Sequence, residues 1–166
     1  MKPKSAILQL TLTIVFAALV AATTLMVRIP IPATTGYFNI GDAMIFVAAL
    51  VFGPVVGGLA GGCGSAIADI IGYPLFAPYT LVIKGMEGWI AGKITRRTAK
   101  SDWMACACGG IIMVLGYLTV EVLLFGFGAA LEELPFNLFQ VVAGIAIGPA
   151  TAMLLRKRLP SALSQP

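Results

Sequence analysis

The chain has no histidine, only seven acidic side chains and three cysteines in 166 residues, and each shortage removes a class of function. Without histidine there is no imidazole to act as a general base near neutral pH, and the commonest metal ligand is missing. Cys63, Cys106 and Cys108 are an odd number without metal-ligand company, which argues against a disulfide framework or a metal cluster; they read as small packing residues. There is no Gly-x-Ser-x-Gly and no glycine-rich phosphate cradle, so neither a serine hydrolase nor ATP use is expected of this chain alone. Charged residues are 11% of the total, against roughly 25% in soluble domains. With 59% hydrophobic residues and a mean hydropathy of +0.97, the chain reads as one integral membrane domain over 1–166, with no enzymatic activity, cofactor or metal expected.

A net charge of +4 invites a nucleic-acid reading. The basic residues instead gather at the ends of apolar runs: Lys2 and Lys4; Lys93, Arg96, Arg97 and Lys100; Arg156, Lys157 and Arg158. Such clusters mark cytoplasmic ends of membrane spans, so the partner they imply is a lipid membrane and no nucleic acid is expected. Apolar runs over about 6–27, 42–53, 55–71, 79–95, 103–127 and 136–155 predict an all-α bundle of six transmembrane helices, given spans of about 20 residues each. Both termini then lie on the cytoplasmic side. Pro30 and Pro32 bar helix in the segment 28–41, which reads, with 72–79, as an external loop over a pocket. Asp42 is placed to favour a helix N-terminus. Glu132, Glu133, Leu134 and Pro135 read as a short acidic loop before the sixth span, and 159–166 as a flexible tail.

The anomaly is the fourth span, which carries Lys84 and Glu87 among Leu81, Val82, Ile83, Trp89 and Ile90. Charges facing hydrocarbon cost at least about 2.5 kcal/mol each, so they turn to a protein interior or a cavity. At a rise of roughly 1.5 Å per residue, Lys84 and Glu87 lie about 8–12 Å below the outer end of their helix. Asp69, Glu121, Asn137 and Gln140 fall in the same outer layer on three other spans, and the inner halves carry essentially none. A pore would want polar lining along its length. A layer ending halfway down suits a small-molecule pocket, with Tyr37, Asn39 and Tyr79, together with Phe38, Tyr73 and Phe76, supplied by the loops. The competing reading is a membrane scaffold in which Lys84 pairs with Glu87, Glu121 or Asp69 purely to hold helices together. In the first span Ala17, Ala18, Ala21 and Ala22 form overlapping small-xxx-small spacings, suited to internal packing or to a partner helix.

Gly36-Tyr-Phe-Asn-Ile-Gly-Asp-Ala, Leu-Val-Phe-Gly-Pro54 before a glycine-rich span, Ala68-Asp69 and Ile-Lys84-Gly-Met-Glu87-Gly together resemble the S components of energy-coupling factor (ECF) vitamin transporters, of the riboflavin or hydroxymethylpyrimidine type. The resemblance runs along nearly the whole chain. It implies a six-helix, multi-pass subunit of the cell membrane that binds one vitamin at its outer face. It also implies a transmembrane coupling subunit and two ATPases as partners. An Ala-x-x-x-Ala motif contacts the coupling subunit in that family, and here Ala17/Ala21 and Ala18/Ala22 both match it. The substrate is not carried by these motifs; hydroxymethylpyrimidine or another thiamin precursor is the first expectation, a vitamin B6 form the second, with riboflavin behind.

Overall fold

In a computed structural model, which describes residues 6–30, 37–96 and 98–159, six helices account for most of the described residues. They are α1 (Ala6–Met26), α2 (Gly41–Phe52), α3 (Pro54–Gly72), α4 (Ala77–Ile94), α5 (Ala99–Phe125) and α6 (Phe127–Arg158). Two short strands, β1 (Ile29–Pro30) and β2 (Tyr37–Phe38), form an antiparallel ribbon with Ile29 opposite Phe38. The expectations for Lys2, Lys4, residues 31–36, Arg97 and the tail from 160 onward lie outside the described residues.

Four helices, α1, α3, α5 and α6, are long and apolar enough to cross a bilayer. Their outward faces carry exposed Ile7, Leu10, Ile14, Ile70, Ile111, Leu123, Phe139 and Leu154, the surface a lipid tail accepts. Helix α2 is different. It is buried on nearly every side, with Ile45, Phe46, Ala48, Ala49, Leu50 and Val51 inaccessible, as an all-round apolar helix should be. Its 12 residues reach only about 18 Å, short of the ~30 Å hydrocarbon core. The geometry explains this, because Asp42 in its first turn meets Lys84 on α4 and Gln140 on α6. Those partners sit about 10 and 20 Å along their own helices from the hairpin end, at 1.5 Å per residue. The segment before α2 therefore descends into the bundle before the helix begins.

The glycine-rich α3 is the seam on which the other helices close. A Cβ at Gly57 would lie 2.6 Å from Ala49 Cα on α2, one at Gly62 2.6 Å from the Leu81 carbonyl on α4, and one at Gly64 2.5 Å from the Ala17 carbonyl on α1. Small residues at such spacing let backbones touch. Two glycines also act as punctuation. Gly53, at φ +94°, reverses the chain between α2 and α3, with Pro54 opening the next helix; Gly126, at φ +87°, separates α5 from α6. Positive φ is cheap only for glycine.

Two sequence expectations change here. The acidic loop at Glu132–Pro135 is not a loop, because α6 starts at Phe127 and runs through Pro135. The turn sits at Gly126 instead, where backbone freedom allows it. The inner end of the bundle is also not free of buried charge. Asp102 is 2% exposed and accepts from Thr95 Oγ1 and from Arg156 Nη1 at 2.6 Å. Arg156 in turn donates to the Leu50 carbonyl at 2.5 Å, so one guanidinium ties the last turn of α2 to α5 and α6. Arg156 thus serves the interior as well as marking a helix end.

Candidate ligand-binding cleft

At the hairpin end the helices part into a small cleft walled by Tyr37, Asn39, Asp69, Tyr73, Phe76, Tyr117, Glu121, Glu133, Asn137 and Gln140. Each wall follows from a local feature of the chain. The β1–β2 ribbon forms one side, pinned to the end of α3: the Tyr37 hydroxyl donates to Asp69 Oδ1. The Arg28 guanidinium lies over the Tyr37 ring, 4.9 Å from its centroid, and donates to the Ala68 carbonyl at 3.3 Å. Burial, reinforced by the Asp69 charge, pushes the Tyr37 phenol well above its usual range, so it stays a hydroxyl donor.

The second wall is aromatic. Phe76, in the short turn before α4, is flanked by Tyr73 (4.9 Å between centroids, 18° between planes), Tyr117 (6.1 Å, 25°) and Phe125 (6.0 Å, 6°). Near-parallel rings at such separations are offset-stacked, the arrangement favoured by ring quadrupoles. The Tyr117 hydroxyl is 2.9 Å from Thr80 Oγ1.

The third wall is acidic and amidic. Glu133, Asn137 and Gln140 lie at i, i+4 and i+7 on one face of α6, and residues at such spacing are neighbours on a helix. Asn137 Nδ2 donates to Glu121 Oε1 on α5 at 3.1 Å. The carboxyl groups of Glu121 and Glu133 stand within hydrogen-bonding reach of one another. Gln140 is held from both sides: its Nε2 donates to the two Asp42 oxygens at 3.2 and 3.1 Å, and its Oε1 accepts from the Asn39 backbone (3.2 Å) and Nδ2 (3.0 Å). Asn39 Oδ1 accepts from Gly41 N at 2.9 Å, which fixes the turn into α2.

Lys84 and Glu87 are beneath this cleft and are not part of its wall. Lys84 is 2% and Glu87 0% exposed. The Lys84 ammonium pairs with Asp42 and is 3.2 Å from Glu87 Oε2, an ionic contact without hydrogen-bond alignment. Gln140 connects this buried network to the cleft above. Of the residues singled out from sequence, Tyr37, Asn39, Asp69, Glu121, Asn137 and Gln140 converge on the wall, and Lys84 and Glu87 support its floor. Tyr79 does neither; it is 38% exposed and meets Phe76 edge-on at 6.2 Å.

Three residues of the site escaped sequence reasoning. From sequence Asp42 has the ordinary reading of a helix-dipole residue, Glu133 reads as part of a loop, and Tyr117 carries no polar signal of its own. Reading 127–158 as one helix would have found Glu133 by its spacing to Asn137 and Gln140, and Tyr117 lies one turn from Glu121. Nothing short of the packing of α2 against α4 would have brought Asp42 to Lys84. The alanine pairs separate cleanly. Ala17 and Ala21 are buried against α2 and α3, whereas Ala18 and Ala22 lie on the exposed face of α1.

Comparison with known proteins accords with this architecture. Residues 4–157 match the family described as "ECF-type riboflavin transporter, S component". An uncharacterized protein of Pyrococcus woesei is 50% identical over 142 residues, covering 84% of this chain and 96% of its own. The thiamine precursor transporter HmpT of Lactococcus lactis subsp. cremoris is 28% identical over 151 residues, covering 90% and 88%. A UPF0397 protein of Streptococcus pneumoniae is 28% identical over 137 residues, covering 77% and 75%.

Proposed function

The chain belongs to the ECF-type riboflavin transporter S components, and from that premise we propose that the cleft at its hairpin end is where a small water-soluble vitamin or precursor binds. The protein is a multi-pass membrane subunit for uptake of such a compound, and this family membership favours transport over the scaffold reading of its buried charges. In our reading the cleft opens to the outside of the cell membrane and both termini face the cytoplasm. ATP use falls to a separate module of a coupling subunit and two ATPases, and this chain carries out no chemical conversion. A thiamin precursor of the hydroxymethylpyrimidine type is our first choice of substrate, helped by the similarity to HmpT; a vitamin B6 form comes second and riboflavin third.

The observation that carries the reading is the convergence of a stacked aromatic wall and an acid–amide wall on one cleft. A few convergent polar groups beside aromatic rings are the general character of small-molecule sites. The test is thermal unfolding of the purified protein with hydroxymethylpyrimidine, pyridoxine, thiamin and riboflavin. A ligand at 100 times its Kd adds about 2.7 kcal/mol of stability, so one compound should raise the melting temperature clearly above the rest. Unchanged melting with every compound, and no small molecule carried through purification, would count against the reading.

We assign the coupling subunit to the face of α1 bearing Ala18 and Ala22, since Ala17 and Ala21 are already used internally. Ala18→Leu with Ala22→Leu should abolish co-purification with the energising module and leave ligand binding within about twofold. Ala17→Leu should instead destabilise the chain itself by about 1–3 kcal/mol, because added volume in a packed interior is a cost. Equal loss of module binding by both, at unchanged melting temperature, would remove the distinction.

A further inference from the structure

Toward the end of the bundle away from the cleft lies a second feature, independent of what the cleft binds. Between α3 and α4 the surface dips into an apolar groove, bordered by Leu59 and Cys63 on one helix and by Val82, Met86 and Trp89 on the other. Its bed is glycine. Gly58, Gly62 and Gly85 offer no side chain to fill it, and they let the two backbones close, since a Cβ at Gly62 would lie 2.6 Å from the Leu81 carbonyl. Val82, Met86, Trp89 and Lys93 follow at i, i+4, i+7 and i+11, one stripe along α4. At the Ile94 end of the helix that stripe turns from apolar to cationic. The Lys93 ammonium stands 5.2 Å from the centroid of the Trp89 ring, and Lys93 also lines a polar hollow with Arg96, Thr98, Lys100 and Ser101. Groove and hollow therefore meet at one side chain.

The cations of the hollow carry no counter-charge. The salt bridges of the described residues join Lys84 to Asp42 and Glu87, and Arg156 to Asp102; Lys93, Arg96 and Lys100 take part in none. Asp102, the acid nearest to them in sequence, is buried and held by Thr95 and Arg156. The turn that presents the cations is itself fixed. Ser101 Oγ accepts from Arg96 N at 3.0 Å and from Thr98 N at 3.2 Å, and Thr98 Oγ1 accepts from Ser101 N at 3.3 Å, a capping box at the start of α5. From Leu81 to Lys93 the groove and its cationic end span about 18 Å at 1.5 Å per residue, close to the ~15 Å of one leaflet in a ~30 Å hydrocarbon core. We propose that an anionic phospholipid binds here, one acyl chain along the α3–α4 groove and the headgroup phosphate received by Lys93, Arg96 and Lys100. Basic hollows between spans suit anionic headgroups. A basic cluster alone would only mark a cytoplasmic end; its union with a groove of acyl-chain length selects an amphiphile. A partner's apolar helix would fill the groove and leave the three cations unmet.

The test titrates the purified full chain, stripped of lipid in detergent, with dioleoyl phosphatidylglycerol or dioleoyl phosphatidylcholine, and counts bound lipids by native mass spectrometry. One phosphatidylglycerol should bind roughly 10-fold or more tightly than phosphatidylcholine, since each cation near an anionic headgroup contributes to the attraction. Lys93→Gln with Arg96→Gln and Lys100→Gln should erase that preference at unchanged melting temperature, because all three residues are exposed. Lys157→Gln with Arg158→Gln, exposed charges near the end of α6, should leave it intact. Met86→Trp, which fills the groove, should weaken phosphatidylglycerol while the cations remain. Inorganic phosphate and glycerol 3-phosphate at millimolar concentration should not displace the lipid. Equal binding of the two lipids overturns the proposal, as does displacement by either free phosphate or an equal loss in both sets of glutamine variants. In the complex with the energising module, a photoreactive benzoylphenylalanine in place of Met86 should capture lipid; capture of the coupling subunit there gives the groove to a protein helix and overturns the proposal as well.

Discussion

Lys84→Met is expected to destabilise the protein by about 3–5 kcal/mol, the cost of removing one member of a buried ion pair and stranding its partners. Two carboxyl groups depend on that ammonium. Asp42 pairs with it and Glu87 is 3.2 Å away, and none of the three side chains reaches solvent by more than 2%. Asp42 draws further support from Gln140, but Glu87 has no hydrogen-bond partner for either oxygen. Methionine matches the length of the lysine stem, so the loss is electrical and not a cavity. The measurement is the melting temperature of the variant in detergent, beside Asp42→Asn and the double substitution. Pairing predicts that the double variant loses less than the sum of the two single ones, as contacting partners do. A Lys84→Met protein that melts like the parent but no longer binds ligand would instead put the ammonium in direct contact with the substrate.

Gly88→Ala is expected to disrupt the bundle more than a methyl group ordinarily would. A Cβ at Gly88 falls 2.6 Å from the Gly57 carbonyl carbon and 3.0 Å from Ile45 Cγ2. The first of these is backbone, which cannot rotate aside, so α3 and α4 must separate. Overpacking of side chains costs about 1–3 kcal/mol, and a clash with main chain belongs at the top of that range. Gly128→Ala is the control. It sits in α6 with nothing within 4 Å of its built Cβ, and alanine is preferred over glycine within a helix by about 1 kcal/mol. Its melting temperature should hold or rise. A Gly88→Ala variant that melts like Gly128→Ala would mean that helix propensity, and not close approach of the backbones, governs the result.

Much of the fold is legible in the composition and hydropathy of the chain, because a bilayer leaves helix as the main way to satisfy backbone groups. The acidic wall is legible only in part. Glu121, Asn137 and Gln140 announce themselves as polar groups inside apolar runs. Glu133 hides, since Glu132–Glu133 beside Pro135 imitates a loop, and only the turn at Gly126 shows that the helix has already begun. Asp42 is hidden for a different reason. Its position at a helix start gives it an ordinary local explanation, while its partners are 42 and 98 residues away. The likeness between Lys84–Glu87 and a ligand site misleads in a related way: charge inside a span marks an interior, and only packing tells whether that interior is wall or floor.

The buried lysine also bears on how the chain is made. On the insertion scale a lysine at a helix centre costs about 2.5–3.5 kcal/mol while each leucine or isoleucine returns about 0.3–0.6, so α4 with Lys84 and Glu87 is a poor candidate to leave the translocation machinery alone. Its counter-charge, Asp42, lies on a helix synthesised earlier, so α4 can be drawn into the bilayer by a partner already there. Gln140, Asn137 and Glu133 arrive last, on α6. A nascent chain therefore pairs the buried Lys84 well before it acquires the means to recognise anything, and recognition waits for the final helix to emerge.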